Sequence, residues 1–68
     1  MIRNDQELRT TLVRIERFRQ LVEDLRRVET NPTNYRLSAS GFLSEIDRMN
    51  LEVREYLALH PTELAITA

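Results

Sequence analysis

Apolar residues recur along the first half of the chain at Leu8, Leu12, Ile15, Phe18, Val22 and Leu25, with gaps of four, three, three, four and three. Such gaps bring side chains to one face of an α-helix, so the spacing predicts a helix over about 5–29. Leu21 and Val28 lie beside this stripe and make it broader than a two-stranded coiled coil requires. The opposite side carries Arg9, Glu16, Arg17, Gln20, Glu23, Asp24 and Arg27, a solvated face. Asn4 stands three residues before Glu7, the spacing of a capping box, and fixes the expected start of this helix.

The pattern stops at Thr30-Asn31-Pro32-Thr33-Asn34. Pro32 disfavours helical geometry at Asn31 and has no amide to donate, so a turn is expected over 30–37, within which Asn31 is able to cap a short helical turn. The second helix is expected over about 38–60. Ser38 is the favoured cap, with Leu37 and Phe42 as a hydrophobic staple, and Ser40 competes with it. Phe42, Ile46, Met49, Val53 and Tyr56 then form a heptad seam flanked by Leu43 and Leu57, and Pro61 ends the helix at His60. Gly41 inside this helix is expected to mark the close approach of a neighbouring backbone. The tail 61–68 is expected to form one further turn or to fray, with Leu64 and Ile66 docking onto a neighbouring subunit.

These elements give an all-α fold, an antiparallel hairpin of two long helices forming a single domain over 1–68. Two helices touching along one seam leave Leu12, Leu21, Val28, Leu43 and Leu57 in water, so two hairpins are expected to pair as a homodimeric four-helix bundle. Its core would draw on Leu8, Leu12, Ile15, Phe18, Leu21, Val22, Leu25 and Val28 from the first helix. The second helix would supply Phe42, Leu43, Ile46, Met49, Val53, Tyr56 and Leu57.

Composition agrees with this reading and removes several others. With 68 residues the chain holds one small folding unit, and one Gly with two Pro argues against an all-β fold. Ten Arg face eleven acids for a net charge of −1, without the basic excess that phosphate attraction requires. Arg14, Arg17 and Arg19 cluster, as do Arg26, Arg27 and Arg36, but Glu16, Glu23, Asp24 and Glu29 interrupt them. A nucleic-acid-associated protein using these clusters is therefore the alternative, not the leading reading. Residues 1–29 hold seven Arg and six acids, and residues 30–68 hold three Arg and five acids, which favours pairing the first helix with the second.

Cysteine is absent, which excludes disulfides and thiolate metal sites. His60 is the one imidazole and has no nucleophile or metal constellation around it in sequence. A carboxylate-based metalloprotein is the least favoured alternative, because no Glu-x-x-His tetrapeptide occurs. No catalytic residue, metal site or cofactor is assigned, and the chain is not expected to be an enzyme. No long apolar run follows the N-terminus, so neither a signal peptide nor a membrane span is expected, and a cytoplasmic location is. Subtraction leaves a helical oligomerisation and protein-binding module. Its candidate contact residues are Tyr35 in the turn and Val13 and Leu51 off the main stripes.

The opening Met1-Ile2-Arg3-Asn4-Asp5-Gln6-Glu7-Leu8 and the segment Ser44-Glu45-Ile46-Asp47-Arg48-Met49-Asn50-Leu51-Glu52-Val53-Arg54-Glu55-Tyr56 resemble the helical leader that precedes the DNA-binding domain in some bacterial antitoxin-type regulators. The resemblance implies a leader's role, oligomerising and contacting a toxin protein. It departs from that family after Pro61, where eight residues counting the proline leave no helix-turn-helix domain, so direct DNA repression is not expected.

Overall fold

The computed structural model describes residues 1–63. Leu64 and Ile66, expected to dock on a neighbouring subunit, lie outside the described residues. Two helices, α1 (Asp5–Val28) and α2 (Pro32–Leu57), pack against each other as an antiparallel hairpin. The described residues contain no strand.

Helix α1 starts where its cap requires. Asn4 Oδ1 accepts the Glu7 amide at 2.8 Å, and Asp5 and Glu7 set negative charge against the positive end of the helix. The reciprocal bond of the box shifts by one residue, because Glu7 Oε1 accepts the Arg3 amide at 2.8 Å. At the far end Arg26 and Arg27 occupy the last turn and Glu29 is the C-cap.

The expected turn over 30–37 and the expected helix start at Ser38 are both corrected. Only Glu29, Thr30 and Asn31 connect the helices, and α2 begins at Pro32. Asn31 Oδ1 accepts the amides of Thr33 and Asn34 at 2.9 and 3.1 Å, while Pro32, at the first helical position, has no amide to satisfy. One side chain and one imino acid thus meet most of what the helix start needs. Ser38 is left inside the helix, and the Ser40 hydroxyl donates back to the Leu37 carbonyl at 3.2 Å. The far boundary moves too: α2 ends at Leu57 rather than His60, with Ala58 as C-cap, and a helical turn follows over 61–63.

Phe18 and Phe42 meet edge to face with ring centroids 5.7 Å apart, and the Tyr56 hydroxyl donates to Asp5 Oδ1 at 2.6 Å. These two contacts fix the register: residues whose numbers total about 60 stand level across the hairpin. The buried apolar residues are Ile2, Val22, Ala39, Met49 and Tyr56. Leu8, Ile15, Phe18 and Leu25 on α1, and Phe42, Ile46 and Val53 on α2, are half-buried along the same seam.

Leu12, placed in the α1 stripe by its sequence spacing, is displaced from the seam by Thr11. A strict alternation of three and four from Leu8 lands on residue 11, and Thr11 is half-buried while Leu12 is 46 % exposed. The threonine fits there because its hydroxyl donates to the Glu7 carbonyl at 2.9 Å and carries no unmet hydrogen bond into the seam. Gly41 does not mark a close approach, since a Cβ built there meets nothing within 4 Å. The small residue that α2 buries is Ala39, 1 % exposed.

Candidate protein-interaction surface

A two-helix hairpin has one seam and two flanks, and the sequence populates the flanks unequally. Along α1, Glu7, Arg14, Leu21 and Val28 follow at seven-residue intervals on the first flank; Ser38, Glu45, Glu52 and Leu59 do so on the α2 side. An open cleft of about 360 Å³ confirms that these series share a side, because Glu7 and Arg14 line it together with Arg48, Met49 and Glu52. The second flank carries Leu12, Arg19 and Arg26 from α1, and Leu57, Asn50, Leu43 and Arg36 from α2.

The open end of the first flank is a charge network. Arg48 donates to Glu45 at 2.6 Å and to Glu52 at 2.9 Å, and the Met1 amine lies 3.8 Å from Glu52. The hydrogen bond from Arg48, then its charge, holds the Glu45 carboxyl below the usual carboxylate range, with a smaller pull in the same direction from Arg14 across the seam. The same bond and charge raise the Arg48 pKa. The Arg48 and Glu45 side chains are about half exposed and only Glu52 is more covered, so the network orients the surface and adds little stability. Toward the turn the first flank becomes apolar, with Leu21 43 % and Val28 67 % exposed.

The second flank runs the other way. Leu12 and Leu57 are exposed on its half nearer the open end and Leu43 at its middle, while Arg19, Arg26 and Arg36 follow toward the turn. Arg19 bonds Glu16 at 3.2 Å; Arg26 and Arg36 make no ion pair among the described residues.

The residues singled out for partner contact are separated by the fold. Tyr35 sits in the first turn of α2 rather than in a loop and is half-buried, its amide bonded to the Asn31 carbonyl. Val13 and Leu51, both more than half exposed, face outward from opposite sides of the hairpin, each directly away from the seam. The structure does not bring these three together. Of the arginine clusters, Arg19 is tied to Glu16 and Arg27 to Asp24, and Arg9, Arg14 and Arg17 line a shallow groove on α1 around Val13.

His60 accepts the Thr62 amide at Nδ1 over 3.2 Å, and its carbonyl takes the Glu63 amide at 2.9 Å, so it caps the turn at 61–63 instead of ending α2. Among the described residues no group of three or more His, Cys, Asp or Glu is placed to hold a metal, and no helix is long and apolar enough to cross a membrane. Comparison with family models, curated proteins and solved structures finds no match for this chain.

Sequence reasoning missed Ile2 and Ala39. Ile2 precedes the helix and belongs to no periodic run, yet it is 5 % exposed near the open end. Ala39 falls in the α2 heptad one step before Phe42, and counting alanine as a seam residue would have found it.

Proposed function

We propose that this chain is a small non-enzymatic helical module that pairs with a second copy into a four-helix bundle and uses the surface left over to hold a protein partner, in the manner of an antitoxin leader. The observation that carries this is the exposure of apolar residues at regular flank positions: Leu12, Leu21, Val28, Leu43 and Leu57 are all at least 43 % exposed in the single chain. A flank running the length of the helices, about 36–39 Å, and about 20 Å across offers on the order of 800 Å² per copy. That is the area a standard stable interface takes from each partner. The cytoplasm is the compartment this reading assigns.

Sedimentation equilibrium at micromolar concentration tests it, with circular dichroism in parallel. A mass of two chains or more with high helicity supports pairing, and a single-chain mass with full helicity overturns it. Partner holding is tested by capture with Leu51→Ser, at a residue 52 % exposed, which is expected to lose partner yield while keeping mass and helicity. Tight binding to random duplex DNA that collapses with added salt would instead favour the arginine surface of α1.

A further inference from the structure

We propose that the groove on the outer face of α1 docks an acidic helical segment of the protein partner, one that sets carboxylates on either side of an apolar residue. This rests on the protein-binding role proposed above and names the chemistry of what is bound.

The groove is a shallow trough of about 530 Å³ lined by Gln6, Arg9, Thr10, Val13, Arg14 and Arg17, three guanidinium groups with no carboxylate among them. At 3.6 residues per turn, Arg9 and Arg17 stand about 40° to either side of Val13 and about 12 Å apart along the axis, with Arg14 on the rim toward the first flank. The nearby acids are engaged elsewhere. Asp5 accepts the Tyr56 hydroxyl, Glu7 accepts the Arg3 amide, and Glu16 holds Arg19. Arg9 and Arg17 make no ion pair or side-chain hydrogen bond among the described residues, and Arg14 acts only through its charge on Glu45. Residues 1–20 hold five Arg and three acids, whereas 21–29 hold two Arg and three acids, so the positive charge on α1 is confined to this part of the helix.

These observations choose the occupant. Every basic residue of the chain is Arg, whose planar fork matches a carboxylate bidentately. A phosphate backbone offers the same charge but nothing to cover Val13, which is 59 % exposed at the centre of the row. The positive patch also ends within about 12 Å, on a chain of net charge −1, which is poor footing for a nucleic-acid track. An acidic helix with an apolar residue midway between two carboxylates meets all three central groups. Acid, leucine and acid at four-residue intervals repeat the spacing of Arg9, Val13 and Arg17, and such rows of two helices run side by side when the helices cross at about −50°.

A second copy is the poorer occupant. Its α2 carries Asp47, Leu51 and Glu55 at that same spacing, but Arg48 and Arg54 flank the row about 60° to either side of Leu51 and would face the groove's own arginines.

Fluorescence anisotropy tests the site with a labelled, alanine-rich peptide of about 20 residues, long enough to be helical alone, carrying Glu, Leu and Glu at i, i+4 and i+8. Saturable binding at micromolar peptide in physiological salt is expected. Arg9→Gln and Arg17→Gln should each weaken it about tenfold, as loss of a hydrogen bond between charged groups does. Val13→Ser, or a probe with Ser in place of its Leu, should weaken it severalfold. Leu51→Ser, on the opposite side of the hairpin, should bind the probe as wild type does. All four positions are exposed, so the variants keep their helicity, which circular dichroism verifies. No saturation below about 1 mM peptide overturns the proposal, as do unchanged affinities for the two arginine variants or for the probe lacking Leu. A single-stranded or duplex oligonucleotide of about 20 nucleotides that binds more tightly than the peptide in the same salt would make the groove a phosphate site and overturn it too. So would sedimentation showing that Arg9→Gln/Arg17→Gln dissolves a wild-type oligomer, since a second copy would then occupy the groove. The protein-binding reading fails separately, through the capture experiment on Leu51→Ser, which does not touch the groove.

Discussion

At the turn end of the hairpin, three residues join the helices, and the contacts there are local: Asn31 holds the amides of Thr33 and Asn34, and Glu29 Oε1 accepts the Asn31 amide at 3.1 Å. At the open end the same helices are joined by residues far apart in sequence. The Tyr56 hydroxyl reaches Asp5, and Ile2 and Met49 are buried beside a rim formed by Glu52 and Arg48. The difference teaches where this fold is vulnerable. Connectivity keeps the turn end paired even when a contact is lost, whereas the open end stays together only through side chains.

Met49→Asp is the largest expected disruption. The residue is 2 % exposed, and a carboxylate there has no partner, so several kcal/mol are lost against a total that for so small a domain is about 5 kcal/mol. Loss of the cooperative helical transition on heating checks it; an unchanged melting curve would show that the open end contributes nothing. Asn31→Ala removes a two-amide cap at the other end and is expected to cost about 1 kcal/mol, read as a shift in the urea midpoint. A cost as large as that of Met49→Asp would erase the contrast between the ends.

Tyr56→Phe sharpens the comparison through pH. The hydrogen bond to Asp5, with burial and the Asp5 charge adding to it, raises the Tyr56 pKa above its ordinary value. A phenol whose folded-state pKa is raised contributes stability that is complete below about pH 10 and is lost as pH rises through the folded value. Wild type is therefore expected to lose stability in that alkaline window, and Tyr56→Phe to lose markedly less there. Hydrogen exchange in the first turn of α1 should speed up in the variant, with the amides of 33 and 34 unaffected. Smallest of all, Arg27→Ala breaks only an exposed pair with Asp24 and should change stability by less than about 1 kcal/mol in thermal melts.

The hairpin itself was legible because three-and-four spacing has one physical meaning over twenty residues, and the flanking leucines were rightly expected to be wet in a single chain. The start of α2 was misplaced for a specific reason. Pro32 reads as a break, yet at the first helical position it is a starter, and Asn31 before it was weighed as a cap for a short turn only. Leu12 enters the stripe on apolar character alone, where geometry favours Thr11, whose hydroxyl bonds within its own helix; its expected exposure as a flank residue holds. The Tyr56–Asp5 bond spans 51 residues and depends on register, which no local pattern encodes. The candidate contact residues Tyr35, Val13 and Leu51 were chosen by subtraction, and subtraction carries no information about who is near whom.

The three-residue connection also has a kinetic consequence. Seam positions next to it, such as Leu25 and Tyr35, which the register sets level, are joined by short loops, Phe18 with Phe42 closes a longer one, and Asp5 with Tyr56 closes the longest, so the entropy of closure favours zipping from the turn outward. The rate-limiting barrier then lies in forming the first few turns beside Asn31 and Pro32, and the Tyr56 latch is set after it. Weakening the latch should leave the folding rate nearly unchanged and raise the unfolding rate, which makes the tyrosine a determinant of how long a folded chain persists rather than of how fast it is made.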